Sequence, residues 1–225
     1  MAFPSRRSVI IGGLGSAVVA TSAVVGTRAY AADIEKPAYE VVARHPGFEV
    51  RRYAPRLVAE VEVQGRGKDA ANAGFRVLAN FIFGDNVRRT EIAMTAPVDR
   101  QALSEEIAMT APVDRTQAGK ERWVIAFTMP SKYTAETLPR PNDERVMIRE
   151  IPRSHFAAVR FSGSPGEKSV QRRMQALEDA VETAGLTSAG RPPVYSRYDP
   201  PWTLPFLRRN EIQLELVMDE PSSSP

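Results

Sequence analysis

Phe48-Glu49-Val50-Arg51-Arg52-Tyr53, followed by Leu57, Ala59, Val61 and Val63 alternating with Glu60, Glu62 and Gln64, is the stretch whose reading decides the fold. A period of two with one apolar and one polar set is the mark of strands with one dry and one wet face. Upstream, Tyr39, Val41 and Ala43 alternate in the same way, and His45-Pro46-Gly47 supplies a turn between two strands. Downstream the period changes. Ala71, Phe75, Leu78 and Ile82 share one stripe of a helix, which Gly84 closes.

The same order returns about 98 residues later. Ile148-Arg149-Glu150-Ile151 corresponds to Val50-Arg51-Arg52-Tyr53, and Ala157, Val159, Phe161 and Gly163 correspond to Ala59, Val61, Val63 and Gly65. Ser164-Pro165 then opens a second helix, whose stripe Val170, Met174, Leu177 and Val181 ends at Gly185. Either half alone would leave a sheet face and a helix stripe in water, so the halves are expected to bury them mutually. The expected fold class is α+β: duplicated β-β-α-β-type halves forming a distorted antiparallel β-barrel flanked by two helices. A seam between such halves is a natural ligand cleft.

Residues 1–31 read as an export signal: Arg6-Arg7, an apolar small-residue run from Val9 to Val25, and Ala29-Tyr30-Ala31 as a cleavage pattern. The paired arginines resemble a twin-arginine signal, the kind that carries folded proteins. Residues 32–218 form the expected domain, and Asp219 to Pro225 a disordered tail. The expected location is periplasmic or secreted, or membrane-anchored if the segment is not cleaved. Of the 30 Lys and Arg, three (Arg6, Arg7 and Arg28) fall in residues 1–31 with no acid, so the remainder holds 27 bases and 27 acids. That balance argues against a nucleic-acid partner and, after cleavage, against a membrane surface. A monomer is expected. No cysteine is present, which excludes disulfides, thiolate metal sites and a cysteine nucleophile. The chain also lacks a Gly-x-Ser-x-Gly elbow, a His-x-x-x-His pair and a glycine-rich phosphate loop, so a binding protein rather than an enzyme is expected.

One motif is written twice. Glu91-Ile92-Ala93-Met94-Thr95-Ala96-Pro97-Val98-Asp99-Arg100 recurs letter for letter at 106–115. The two copies are expected to form an antiparallel ribbon through Gln101 to Glu105. The doubled Ile-Ala-Met-Thr-Ala-Pro-Val, together with Glu35 to Tyr39, Phe48 to Tyr53, Trp123 to Pro130 and Tyr198 to Glu211, resembles the SOUL/haem-binding protein family from about Glu35 to Val217. The resemblance implies a distorted barrel with two flanking helices, tetrapyrrole binding in a shallow apolar site, and no established enzymatic activity.

The residues themselves single out the segment from Tyr195 to Arg209. Tyr195, Tyr198, Trp202 and Phe206 cluster among prolines that stiffen the loop, and Arg208 and Arg209 set cations beside them. Apolar faces for a macrocycle and guanidinium forks for two propionates are what haem requires. The same aromatics could instead plug the end of the barrel. By resemblance the other wall is the outer face of the first helix, where Lys68 and Arg76 are the available cations among Asn72, Ala73, Asn80 and Phe83. For iron, His155 is the candidate ligand, opposed by its strand parity with Ala157 and Val159, which suits a core histidine. The alternative function is an effector-binding module for another amphipathic small molecule. A buried acid in the cleft would favour a cation, and the arginine pair an anion.

If residues 1–31 are a twin-arginine signal, Arg6→Lys with Arg7→Lys leaves the protein in the cytoplasm of a bacterial host. Immunoblots of fractionated cells check this, and an undiminished periplasmic pool would exclude the route.

Overall fold

The structure, a computed structural model, describes residues 34–89 and 104–218. The export segment, the first copy of the doubled motif and the tail lie outside the described residues. The strands of the first part are β1 (Tyr39–His45), β2 (Phe48–Tyr53) and β3 (Arg56–Gln64), followed by helix α1 (Gly67–Ile82) and the short β4 (Asn86–Val87). Then come β5 (Val113–Gln117), β6 (Arg122–Thr128) and the short β7 (Arg140–Pro141). The last part holds β8 (Met147–Ile151), β9 (Ser154–Phe161), helix α2 (Glu167–Thr183), β10 (Thr187–Ser188), β11 (Val194–Arg197) and β12 (Asn210–Val217).

Nine strands form one antiparallel sheet in the order β1-β2-β9-β12-β11-β5-β6-β3-β8, with β10 added beside β12. Strands β4 and β7 pair separately. The expected barrel is a half-barrel: β1 and β8 are its two edges and do not pair with each other. Two helices flank it, as expected.

The strand order reads symmetrically outward from the β11–β5 pair, and the register carries the same symmetry. Val50 faces Ala157 and Tyr53 faces Ser154, while Ile148 faces Ala59 and Ile151 faces Arg56. Exchanging residues at the 98-residue offset converts the first two pairs into the last two. Each segment therefore lends one strand to the other's ladder. This is a symmetry of pairing; descent from one duplicated unit remains an inference from the sequence.

Each helix packs on one part of the sheet through its own apolar cluster. Between α1 and the sheet pack Val61, Leu78, Phe81, Ile82, Ile125 and Phe127, and between α2 and the sheet pack Val50, Ala157, Val170, Leu177, Ile212 and Leu214. The stripe expected on α2 is the observed one. On α1 it is rotated: Ala70, Gly74, Leu78, Phe81 and Ile82 are buried, and Phe75 moves to the flank with its ring edge-on to Phe127 at 5.4 Å. Gly74 is the cause. A Cβ there would sit 2.9 Å from Ile125 Cβ and closer still to Cγ1, so the bare backbone lets helix and sheet approach. Both helices stop on glycines of positive φ, Gly84 and Gly185, and the next N–H groups, of Asp85 and Leu186, reach back to the carbonyls of Asn80 and Val181.

The doubled motif departs from expectation. Its second copy becomes strand only from Val113, and β5 is already flanked by β11 and β6. Val113 to Arg115 therefore do not form a ribbon with the first copy.

Gly74→Ala is expected to cost roughly 1–3 kcal/mol through overpacking against Ile125. Urea denaturation checks it. In an Ile125→Ala background, which lacks the Cγ1 nearest that Cβ, the same substitution should cost less.

Candidate functional site

Strand alternation gives the sheet a second face, turned away from the helices, and that face is also buried. It carries Glu49, Arg51 and Tyr53 of β2, Phe156 and Ala158 of β9, Glu211 and Gln213 of β12, Ser196 of β11 and Asp114 of β5. Glu211 is its centre and is 0% exposed. Its carboxylate accepts from Arg51 Nη1 at 2.6 Å, Arg209 Nη2 at 2.7 Å and Nε at 2.9 Å, and the Tyr198 hydroxyl at 2.9 Å. Burial by itself would raise its pKa, but the bonds and charges of Arg51 and Arg209 hold Glu211 below the usual carboxylate range. Burial and the Glu211 charge push the Tyr198 phenol well above its ordinary value, so it stays a donor. Asp114 has weaker support: burial pushes it up to about 6, although Ser196 Oγ donates to it and Arg56 stands nearby.

These groups satisfy one another. Two arginines and a phenol close around one acid, so Glu211 offers no open charge to a cation. Among the described residues, no group of three or more His, Asp or Glu side chains is placed to hold a metal ion.

Residues 198–209 cross from β11 to β12 as a loop fastened at its base and along its length. The Tyr198 N–H donates to Arg209 O, the Arg209 N–H to Asp199 Oδ2, and the Arg209 guanidinium lies 3.9 Å over the Tyr198 ring. Arg208 donates through Nε to Thr203 O at 2.7 Å and through its terminal nitrogens to Pro201 O and Ser164 Oγ. The Gly163 N–H reaches Pro205 O in the 3-10 turn Pro205–Leu207, and Asn210 Nδ2 reaches Gly163 O. What this leaves outside is apolar: Trp202 is 68% exposed, Phe206 69% and Leu204 46%.

The sequence-derived set is thereby divided. Trp202 and Phe206 are at the surface. Tyr198 is buried under the loop, and Tyr195 lies in the core beneath α2, stacked on Phe161 with its hydroxyl donating to Asn210 at 2.8 Å. Arg208 and Arg209, expected as forks for an anion, are engaged by the loop's own carbonyls and by Glu211. Glu211 itself went unnoticed in the sequence.

The outer face of α1 carries a depression of about 450 Å³ lined by Asp69, Asn72, Phe75 and Arg76. Lys68 is exposed in the first turn, and Phe83 is exposed just past the last. The beginnings of the two helices meet: a Cβ on Gly67 would touch the Glu167 carboxylate, which Arg115 pairs at 3.0 Å. Since Gly163 and Ser164, just ahead of α2, hold the aromatic loop, both helix starts and that loop gather at one end of the sheet. His155 is not there. It is half-buried at the beginning of β9, between Arg52 and Leu216 in register, roughly 20 Å of strand from Phe161.

The architecture is thus an α+β one: an open antiparallel half-barrel with two flanking helices and a pinned aromatic loop. Residues 34–215 match the SOUL heme-binding protein family, and the chain belongs to it. No curated protein matches the chain in sequence. Among solved structures, the C-terminal domain of EcmrR is similar at 14% identity and a TM-score of 0.52, over 80% of this chain and 98% of that one. A structure described as a hydrolase from Listeria innocua is similar at 14% identity and 0.47, over 86% and 98%, and SAV2435 bound to tetraphenylphosphonium at 12% and 0.43, over 76% and 93%. At 14% identity the likeness to the EcmrR domain is one of fold.

The two buried acids act on stability in opposite directions. Glu211 stabilises while ionised, and its contribution is lost as pH falls through its lowered folded pKa. Asp114, raised from 3.8 to about 6, withdraws stability as pH rises through that interval, because the unfolded chain releases its proton first. Asp114→Asn is expected to flatten the pH dependence of unfolding between about 4 and 6 and to gain on the order of 2 kcal/mol at neutral pH. Glu211→Gln, which takes the carboxylate from Arg209 and leaves Arg51 with Glu49 alone, is expected to lose roughly 3–5 kcal/mol. Urea unfolding at a series of pH values measures both.

Proposed function

We propose that the chain binds haem or a related tetrapyrrole, without catalysing a reaction, on the surface formed by the 198–209 loop and the outer face of α1. One observation carries the reading: Trp202, Leu204 and Phe206 are held out into solvent by a loop that Arg208 and Arg209 keep rigid. Exposed aromatics on a fixed loop bind flat apolar ligands with little ordering cost. Membership of a family described as heme-binding supports the same ligand.

The residues present fit the porphyrin better than the iron. Phe75 offers a further ring beside the depression on α1, and Lys68 and Arg76 are exposed cations for the propionates, in place of the engaged Arg208 and Arg209. Bound haem would supply an iron centre, but His155 sits too far along β9 to reach it from this surface. The chain's own contribution is to offer rings, position cations and hold the loop. A cationic effector suits the molecule less well, because Glu211 already has its partners. On the same reading, residues 1–31 take the domain to the periplasm or beyond. No helix among the described residues is long and apolar enough to cross a membrane.

Haemin titrated into the protein, followed through the Soret band, is expected to bind in the micromolar range, about −8 kcal/mol. Trp202→Ala with Phe206→Ala should weaken binding about tenfold or more, through lost apolar contact. Lys68→Ala with Arg76→Ala should weaken it and reduce its salt sensitivity. His155→Ala should leave the Soret maximum in place. Binding no tighter than to an unrelated carrier protein, indifferent to all these changes, would refute the proposal.

A further inference from the structure

Among the described residues, three buried side-chain nitrogens and oxygens have no hydrogen-bond partner: Arg56 Nη1, Arg115 Nε and Ser154 Oγ. Arg115 is otherwise committed, because its Nη2 pairs Glu167 and its guanidinium lies over the Trp123 and Tyr195 rings. The other two share one corner of the helix-free face. There the β2–β3 turn, Ala54-Pro55, and the β8–β9 turn, Pro152-Arg153, run side by side, since Tyr53 faces Ser154 and Arg56 faces Ile151 in register. The Arg56 guanidinium lies 4.9 Å from the centre of the Tyr53 ring and 5.7 Å from that of Phe156. Ser154 is the register partner of Tyr53 and lies two residues before Phe156 on the same face of β9. Hydroxyl and guanidinium thus flank the same two rings.

A buried charged donor and a buried hydroxyl left without acceptors are costly, and no described residue supplies one. The acids nearby are taken: Asp114 accepts from Ser196, and Glu215 pairs Arg191 at 3.1 Å. Both act on Arg56 only through space, and burial holds the Arg56 pKa below its ordinary value. The rings cover a face of the guanidinium whereas hydrogen bonds form at its edge, so stacking and pairing do not compete. A depression of about 410 Å³ opens at this corner, with Pro55, Arg56, Tyr133, Ile151 and Pro152 in its lining.

We propose that Arg56 and Ser154 form a subsite for an oxyanion, the carboxylate or phosphate of a small ligand entering through this depression. Such a group accepts from the guanidinium fork and from the hydroxyl together. Arg56 is only half-buried, so the guanidinium is approached from the depression, and a small side-chain rearrangement brings the covered Nη1 and Oγ to the ligand. The subsite lies at the beginning of β9, roughly 23 Å of strand from Phe161, and is separate from the surface proposed for haem.

Urea unfolding of the full chain tests this, with inorganic phosphate and benzoate as probes and sodium chloride holding ionic strength constant. A ligand of the folded chain lowers the unfolding constant by mass action, about tenfold at ten times its dissociation constant. Such a fall with phosphate alone assigns a phosphoryl ligand, with benzoate alone a carboxylate, and with both an oxyanion of either kind. No fall with either probe overturns the proposal. Arg56→Gln should abolish the effect, and Ser154→Ala should weaken the probe about fivefold, the loss of one hydrogen bond. Should Arg56→Gln fail to fold, Arg56→Lys decides: it keeps the charge, loses the fork and should bind more weakly. An effect retained in Arg56→Gln, or unchanged in both Arg56→Lys and Ser154→Ala, places the anions elsewhere and overturns the proposal.

Discussion

The carboxylate of Glu211 is the point on which the helix-free face of the molecule turns. Two guanidinium groups buried without a counter-charge would carry a desolvation cost large enough to unfold a small domain. With Glu211 between Arg51 of β2 and Arg209 at the end of the loop, and Glu49 as the second carboxylate on Arg51, the charges are balanced and Tyr198 closes the group. One acid thereby joins an outer strand, a central strand and the base of the aromatic loop. The rigidity of that loop, and with it the outward display of Trp202 and Phe206, is inherited from an ion pair none of the displayed residues touches.

Much of the architecture was legible because the apolar alternation of β2, β3, β9 and β12 and the helical stripes each report a single dry face. The second buried face was not. Glu211, Gln213 and Glu215 alternate with Ile212, Leu214 and Leu216 in the way a wet face does, and nothing local says that sheet curvature will enclose it. The one available hint was the abundance of arginine and tyrosine at matching parity, Arg51 and Tyr53 on β2 and Tyr198 beside Arg209. The misplacement of Phe75 has a similar origin, since helical period alone does not reveal that Gly74 will be drawn onto Ile125. At the candidate site the loop's composition singled out a segment that does display exposed rings, but its arginines are engaged otherwise than expected. Arginines that look like ligand forks in sequence prove to be fasteners once the carbonyls of Pro201 and Thr203 curl toward Arg208.

The proposed binding surface divides the labour differently from the first expectation. In it the aromatics would come from the loop and the charge from the exposed side of α1, whose first residue, Gly67, lies against Glu167 at the start of α2. The buried polar face holds the base of that loop.

The interleaved strand order also governs when this protein can exist at all. Its interleaved ladders join residues about a hundred positions apart, Val50 to Ala157 and Ala59 to Ile148, and β12 closes the sheet only with the last described residues of the chain. Without β12, the β1-β2-β9 group has no hydrogen-bonded connection to the rest. A growing chain therefore lacks the strand that unites the sheet until Asn210–Val217 has been made. The many long-range pairings then make folding slow.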